Sequence, residues 1–341
     1  MTPHELLQDT LNRRFADGSR RAVLVLGAGL HHHLATHTAG DTSTETWRLF
    51  RSWNELLRSV SAALAVGASS HEDPTATWET LIVEGTRRQS GLAGGAAAAA
   101  REVEKDALRA LSKRLDDLPS EREDRRRLGR ALRAAGYRDL VSLNFDRTLE
   151  GALGLRVEKP RARRSDAPPS RRPRLLTQDM RVRLWFPHGH VVAPDAIVLG
   201  HRSYGMAIKG LEHMRDKSKQ ADRTWRDNQA WTPALREAWE AHRRAPDNIE
   251  LTWMDLFLLS DLVFVGCSLD RAEMDLWWAL HQRARNHAQQ RAEDVPRTLL
   301  LHGPGGLGDH LESAPAGVTP IAFTDWNAVW EAIVGPWWSA A

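Results

Sequence analysis

Cysteine is nearly absent from this sequence of 341 residues, in which Cys267 is the single example. One cysteine cannot form an internal disulfide, and it cannot build a zinc site that uses two or four cysteines. The composition therefore excludes a disulfide-stabilised domain and fits a reducing compartment such as the cytoplasm.

Long apolar runs are lacking as well. No uninterrupted apolar stretch of this sequence is long enough to cross a bilayer, which argues against a membrane-spanning segment. Residues 1–11 do not place a charged segment before an apolar one, and their leucines predict a short amphipathic helix instead. We therefore expect a cytoplasmic protein without a membrane anchor.

An excess of one charge is also missing, because 47 Lys and Arg residues face 44 Asp and Glu residues, for a net charge of +3. Such a small excess does not by itself indicate a nucleic-acid partner. The chain has 14 Trp but only 2 Tyr. Because Trp buries a large area, we expect these side chains to fill the core or an interface of a homo-oligomer.

Short apolar runs alternate with helical patterns along the chain, which is typical of an α/β fold. The sequence predicts a Rossmann-like, doubly wound parallel sheet in a single domain, residues 1–341, with a helical insertion lobe at residues 47–136 and an exposed Arg/Pro-rich loop at residues 156–174. Further helices are predicted at residues 212–245, 272–290 and 327–334. Strands are predicted at residues 21–26, 139–143, 183–186, 196–199, 261–265 and 297–301.

A small-residue turn, Gly27-Ala28-Gly29, directly follows the first predicted strand and leads into Leu30. Small residues at a strand-to-helix turn let the backbone approach a pyrophosphate, and the start of the helix offers free N–H groups. Only two glycines of a GxGxxG pattern are present. The turn alone is therefore as consistent with an ordinary turn as with a nucleotide site.

Polar residues follow three other predicted strands. Asn144 and Asp146 come after the second strand, His188 precedes Gly189, and Ser268 follows Gly266. In α/β sheets this edge is where ligands bind. Each residue also has a structural alternative, because Asp146 or Ser268 could cap a helix and His188 could occupy a turn.

In this order the four segments resemble the sirtuin superfamily. That family has a GAG turn, an Asn-Ile-Asp stretch, a His-Gly pair with the catalytic histidine, and a Gly-Thr-Ser-Leu stretch near the nucleotide. The resemblance spans about residues 22–302. Its counterparts here are Gly27-Ala28-Gly29, Asn144-Phe145-Asp146, His188-Gly189 and Gly266-Cys267-Ser268-Leu269.

The sequence departs from the protein deacylases of that superfamily. They carry a zinc module of two CxxC pairs, which a single cysteine cannot form. They also continue the GAG turn with Ser and an Ile-Pro-Asp-Phe-Arg-like segment, where this chain has Leu30-His31-His32-His33. Trp53-Asn54-Glu55-Leu56-Leu57 looks instead like the Trp-x-x-Leu-Leu segment of the zinc-less bacterial branch, which is similar to NAD-consuming effectors of anti-phage defence.

The resemblance implies an NAD glycohydrolase that releases nicotinamide and ADP-ribose, with NAD as substrate and no metal. It implies that Asn144 positions the ribose and the attacking water, that Asp146 lies near the carboxamide or orients Asn144, and that His188 is the general base. It also implies activation by oligomerisation or by a partner, either a hexameric ATPase of the HerA type or a short Argonaute. The residues implied to bind the nucleotide, besides Asn144 and Asp146, are Gly27, Ala28, Gly29, Leu30, Gly266 and Ser268.

Other functions stay open at this stage. The pocket could sense NAD or ADP-ribose without turnover, or the chain could be a deacylase or an ADP-ribosyltransferase, although the missing CxxC pairs weigh against deacylation. His31, His32, His33 and His37 invite a metal site, but adjacent histidines point in different directions, and contact with the nucleotide phosphates or a lid role fits them better. A nucleic-acid partner could bind the arginines at 161, 163, 164, 171, 172 and 174, for which a solvated loop is the favoured alternative.

Overall fold

The structure is a computed structural model. It describes residues 1–31, 34, 53–67, 73–89, 95–116, 123–155, 175–176, 182–217, 237, 239–241, 243, 252–269, 273–288, 290, 295–304 and 315–335.

One sheet forms the centre of the molecule, and its strand order is β3-β4-β2-β1-β5-β6-β7. All neighbouring strands are parallel except β3, a two-residue edge strand that pairs antiparallel with β4. Without β3, the sheet has the strand order of the dinucleotide-binding fold. The strands are β1 (Val23–Leu26), β2 (Asp139–Ser142), β3 (Leu175–Leu176), β4 (Arg183–Trp185), β5 (Leu262–Val265), β6 (Thr298–His302) and β7 (Val318–Ala322).

Helices surround the sheet, and several begin at a side chain that caps them. Thr2 and Glu5 form a capping box on the first helix, and Thr252 and Asp255 form another on the eighth. None of the described helices is both long and apolar enough to cross a bilayer. The helices are α1 (Pro3–Asn12), α2 (Trp53–Ala63), α3 (Pro74–Arg88), α4 (Ala96–Asp116), α5 (Glu123–Ala134), α6 (Thr148–Ala152), α7 (His201–Lys217), α8 (Trp253–Leu259), α9 (Met274–His287) and α10 (Trp326–Val334).

The alternation of side chains along β1 produces two cores, one on each face of the sheet. Leu24 and Leu26 join the core that contains residues of α1, α5 and α10, whereas Val23 and Val25 join the core that contains residues of α8 and α9. Because successive side chains of a strand point to opposite faces, a strand that is apolar at every position has to be covered on both faces. The predicted doubly wound α/β fold is confirmed.

A third core lies among α2, α3 and α4 and includes Leu57, Trp78 and Leu111. It also takes in Phe145, from the turn after β2, and Ile197. The helices that the sequence predicts between residues 47 and 136 are therefore present where the structure describes them, and they contact the carboxyl edge of the sheet. The division of the chain into one domain with a lobe stays a prediction.

The strand predicted at residues 196–199 is wrong. Pro194–Ala196 form a 3-10 helix, and the next residues run without a strand partner. Ile197 and Leu199 pack with the helices of the third core, whereas Val198 packs against Tyr204. The run is apolar because its side chains are buried against these neighbours, and its backbone does not pair with a strand of the sheet.

Three further segments differ from the sequence-based expectations. β7 and α8 were not predicted, and α7 begins at His201, ahead of the predicted helix at residues 212–245. Within that predicted helix, residues 237, 239–241 and 243 are described as helical. The Arg/Pro-rich loop at residues 156–174 lies outside the described residues.

Candidate active site

The turn after β1 packs directly against the turn after β5. The Gly29 N–H donates to the Gly266 carbonyl at 2.9 Å. A Cβ built on Gly29 would lie 2.5 Å from the Gly266 Cα, and one built on Gly27 would lie 2.5 Å from the Gly266 oxygen. Gly266 itself has a φ of +65°. Small residues are therefore required here by the contact between two loops, independently of any ligand.

The N–H groups of Gly27, Gly29 and Leu30 already have partners inside the protein. Gly27 donates to the Val265 carbonyl at 3.0 Å and Leu30 to the Gly27 carbonyl at 3.1 Å. The turn lies at the carboxyl edge of the sheet, next to the start of a helix at Gly29, as a nucleotide site requires. The binding of a pyrophosphate by Gly27, Ala28, Gly29 and Leu30 stays a prediction.

Asn144 is fixed against the same turn. Its Nδ2 donates to the Gly27 carbonyl at 3.0 Å, and its own backbone N–H donates to the Ser142 Oγ at 3.2 Å. The side chain is buried. Because the amide nitrogen is held by Gly27, the amide oxygen is the group left to accept a bond from a hydroxyl or a water.

Asp146 pairs with His31, a contact that the sequence analysis did not predict. The Oδ2 atom lies 3.0 Å from the His31 Nε2, and Oδ1 accepts the Thr148 N–H at 2.7 Å. Burial alone would raise the pKa of Asp146, but the charge of His31 and the hydrogen bonds from His31 and Thr148 outweigh it and hold that pKa well below its ordinary value. Asp146 is therefore an ionised carboxylate, and it also holds the start of α6.

A pocket with an open volume of about 310 Å³ joins these residues. It lies at the carboxyl edge of the sheet, between the turns after β1 and β2 and the helices α2 and α4. The residues that line it are Ala28, His31, Trp53, Leu56, Leu115, Asn144, Phe145 and Asp146. Three of the predicted site residues, Ala28, Asn144 and Asp146, thus line the same pocket.

His188 lies behind this pocket, on the turn after β4. Its Nε2 is 3.2 Å from the Asp275 Oδ1, and both side chains are buried. The Tyr204 ring meets the His188 ring edge to face at 5.6 Å, and the Phe145 ring is 6.5 Å away. Phe145 also lines the pocket that contains Asn144, whereas His188 is not among the residues that line it.

Glycine is required next to His188. Gly189 has a φ of +93°, and a Cβ there would lie 2.3 Å from the Ala196 oxygen. The His188 carbonyl also accepts the Val198 N–H at 2.7 Å. The turn that carries His188 is thus fixed by its backbone as well as by Asp275.

A second histidine of this turn, His190, also pairs with a carboxylate. Its Nε2 lies 3.2 Å from the Glu150 Oε2, and both side chains are buried. The Val192 N–H approaches the His190 Nδ1 at 3.4 Å. The His190 Nε2 and the Glu150 Oε2 are thus close, but this contact does not meet the geometry of a hydrogen bond.

The turn after β5 places Ser268 and Cys267 differently. Ser268 is exposed and makes no side-chain hydrogen bond with the described residues. Cys267 is partly buried, and burial together with the negative charge of Glu273 raises the pKa of its thiol well above the ordinary value. The adenosine contact predicted for Gly266 and Ser268 stays a prediction.

Sequence reasoning missed the carboxylate partners of the histidines. His31 was weighed as a phosphate contact, and Asp275 and Glu150 were not considered. These pairs join residues far apart in the sequence, so no local spacing could reveal them; only the His-Gly-His repetition at 188–190 hinted at a second histidine. Within the part of the chain that the structure describes, no group of three or more metal-binding side chains is found, and His32, His33 and His37 lie outside that part.

Comparison with known proteins supports the sequence resemblance. Residues 138–305 match the family model of the SIR2-like domain, a range that contains Asn144, Asp146, His188 and Gly266. No curated protein matches the chain significantly. A SIR2-like domain indicates an NAD-related function and is consistent with an NAD-using enzyme. This match, together with a parallel sheet of the dinucleotide-binding order, supports a sirtuin-like family for this part of the chain.

Proposed function

We propose that the protein hydrolyses NAD at the bond between nicotinamide and ribose. The observation that carries this proposal is the pocket at the carboxyl edge, where the amide of Asn144 and the ionised carboxylate of Asp146 share a wall beside the turn after β1. Both residues come from the part of the chain that matches the SIR2-like domain.

The charge at this wall suits the reaction. When the C–N bond breaks, its electron pair leaves with nicotinamide and positive charge builds on the ribose carbon, as in glycoside hydrolysis. Asp146 keeps a carboxylate in a buried wall, where a negative charge is only weakly screened. Asn144, whose nitrogen is held by Gly27, offers its oxygen to orient a ribose hydroxyl or the attacking water.

His188 accepts the proton that the water loses, so that the products are nicotinamide, ADP-ribose and one proton. Asp275 favours the tautomer with the proton on Nε2, which makes Nδ1 the basic atom. Since His188 does not line the pocket, the side chains around it have to rearrange for His188 to reach the attacking water. Asp275 acts in this scheme as a positioning residue.

The proposal is tested by incubating the purified protein with NAD, alone and with the product of its genomic neighbour, and separating the products by chromatography. Asn144→Ala and His188→Ala are each expected to lower nicotinamide release by roughly 10²–10⁴-fold. His201→Ala is the matched control, because His201 is exposed at the start of α7. Thermal unfolding of each variant shows whether the fold is kept.

The activity and its setting are separate proposals. We also propose that the enzyme depletes NAD in anti-phage defence and is activated by oligomerisation, by an ATPase of the HerA type or by a short Argonaute. Full NAD consumption by the isolated chain would contradict the need for an activator. An assembly with verified partner and trigger that leaves NAD intact would contradict hydrolysis itself.

One observation favours a second candidate, an NAD or ADP-ribose sensor without turnover. His188 is not among the residues that line the pocket, although Phe145, whose ring centroid is 6.5 Å from that of His188, does line it. A sensor would bind NAD in calorimetry with the same affinity in the wild type and in His188→Ala, and chromatography would detect no nicotinamide. An enzyme would bind NAD in both and lose turnover in the variant.

A further inference from the structure

A second pocket, with an open volume of about 420 Å³, lies at the opposite edge of the sheet, where the strands begin. Arg13, Arg21 and Arg243 line it together with Ser260, which directly precedes Asp261 and β5. Neither the family match nor the reaction proposed above gives this edge a role.

Beneath this pocket lies one buried carboxylate with two guanidinium groups. Asp139 accepts bonds from the Arg183 Nε at 2.6 Å, from the Arg183 Nη2 at 2.9 Å and from the Arg243 Nε at 2.7 Å. All three side chains are at most 2% exposed. Because arginine keeps its proton, the cluster carries one uncompensated positive charge in a buried position.

The same cluster leaves hydrogen-bond donors unused. Arg243 Nη1 donates to the Arg21 carbonyl at 2.6 Å, but Arg243 Nη2 has no partner among the described residues. The Ser260 Oγ, in the same pocket, is also buried without one. Buried donors of this kind are normally satisfied, and an unpaired charged donor is the most unfavourable case.

The acidic residues of the pocket are engaged elsewhere. Glu240 pairs with Arg21 at 2.7 Å. Asp261 accepts the Arg297 N–H at 2.7 Å and lies 3.7 Å from Arg13. Among the described residues, these contacts leave the net positive charge of the cluster of Asp139, Arg183 and Arg243 without a further acidic partner in the pocket.

A further buried cation lies on the other side of Ser260. Among the described residues, Arg283 donates to three main-chain oxygens, those of Phe257, Ser260 and Arg297. Asp261 is the acidic group whose charge is felt by Arg283, and the same carboxylate also lies within ion-pair distance of Arg13. Positive charge therefore exceeds negative charge around Ser260 among the described residues.

We propose that this pocket binds a small oxyanion of the phosphate class, with Arg243 and Ser260 as its donors. A guanidinium and a hydroxyl are the donors that recognise phosphate oxygens, and the excess buried charge calls for an anion. The anion is a free phosphate ion or the terminal phosphate of a metabolite. The site is distinct from the NAD pocket, since the two lie at opposite ends of the strands.

Binding is expected to stabilise the fold. Arg243 bonds to the Arg21 carbonyl, just before β1, and to Asp139, at the start of β2. A ligand that binds only the folded state raises the thermal midpoint as its concentration increases. The test titrates the full chain with inorganic phosphate, against chloride at matched ionic strength, and follows thermal unfolding and calorimetry.

In the wild type we expect a saturable rise of the midpoint with phosphate but not with chloride. Ser260→Ala removes one donor without changing any charge and should weaken phosphate about tenfold. Arg243→Lys should weaken it at least as much, and Ser59→Ala, whose hydroxyl bonds within α2, is the matched control. Phosphate and a phosphorylated sugar, compared in calorimetry, distinguish the two sources of the anion.

Two results would overturn the proposal. One is a midpoint that responds to phosphate and chloride alike. The other is a phosphate affinity that is unchanged in Ser260→Ala, which would place any bound phosphate elsewhere, for example in the NAD pocket. Because Ser260→Ala changes only a hydroxyl, the test stands even if Arg243→Lys does not fold. None of these results depends on whether NAD is hydrolysed.

Discussion

Replacing Gly266 with alanine should separate the two turns that form the base of the candidate active site. A Cβ at this position would lie 2.8 Å from the Gly29 Cα and 3.0 Å from the Leu30 nitrogen. These are main-chain atoms, so they cannot move aside as the end of a flexible side chain could. The substitution therefore has to shift the turn after β1 or the turn after β5.

The expected cost has two parts. An alanine at a φ of +65° costs about 1–2 kcal/mol of backbone strain. The collision with Gly29 and Leu30 adds overpacking, for which about 1–3 kcal/mol is typical. Gly154→Ala isolates the first part, because Gly154 has a φ of +64° and a Cβ built there would have nothing within 4 Å.

Urea denaturation of both variants measures the two free energies of unfolding. Gly266→Ala should be less stable than Gly154→Ala by about 1–3 kcal/mol, and it should also weaken NAD binding, whereas Gly154→Ala should not. Equal losses of unfolding free energy in Gly266→Ala and Gly154→Ala would contradict a tight contact between the two turns. Gly29→Ala tests the same contact from the other side, since its Cβ would lie 2.5 Å from the Gly266 Cα.

Three further predictions follow from the buried charges near the pocket. Asp146 has a folded-state pKa below its unfolded value, so its contribution to stability is present above about pH 4 and is lost as the pH falls further. Asp146→Asn should lower the free energy of unfolding by about 1–3 kcal/mol in urea denaturation at pH 7. A difference in unfolding free energy between wild type and variant that stays constant down to pH 2 would contradict the ion pair. Asp275→Asn should lower the kcat for NAD by roughly 10²–10⁴-fold with a small change in KM, because His188 loses the group that holds its tautomer. The pH–rate profile should shift as well, and an unchanged profile would rule out this role of Asp275. The raised pKa of Cys267 should make its alkylation by iodoacetamide at pH 8 at least about tenfold slower in the folded protein than in urea, as followed by mass spectrometry, and equal rates would refute it.

The parallel sheet could be predicted from the sequence because its central strands are short, continuous apolar runs. β1 and β5 are wholly apolar, and β2 and β6 have apolar residues between polar ends. Nearly every residue of these four strands is buried, which is the pattern of a parallel sheet. β7 was not predicted because Pro320 interrupts it and only Ile321 of its five residues is buried. As an edge strand it pairs with β6 alone, and there a proline is tolerated.

One missed helix did carry a local signal. Thr252 and Asp255 have the spacing of a capping box at the start of α8, and the structure contains both of its hydrogen bonds. The false strand at residues 196–199 shows the opposite case, since its apolar side chains are buried without a ladder. A short apolar run indicates that its side chains are buried. Whether it forms a strand depends on a hydrogen-bonding partner elsewhere in the chain, which the run itself does not reveal.

The candidate site was predictable only in part. The rule that ligands bind at the carboxyl edge of parallel strands was enough to place Asn144 and Asp146 at one edge, and the structure puts both in one pocket. Their partners were not predictable, because Gly27 reaches Asn144 and His31 reaches Asp146 through tertiary contacts. The same holds for Asp275, the partner of His188. The wall formed by Trp53, Leu56 and Leu115 likewise depends on how α2 and α4 pack over the sheet.

The most direct test of the account is a time course of NAD, nicotinamide and ADP-ribose with the activated assembly. The account predicts that nicotinamide and ADP-ribose appear in equal amounts as NAD disappears, and that His188→Ala slows both by roughly 10²–10⁴-fold while His201→Ala does not. NAD that stays intact with wild-type protein, or equal rates in the wild type and His188→Ala, would contradict it.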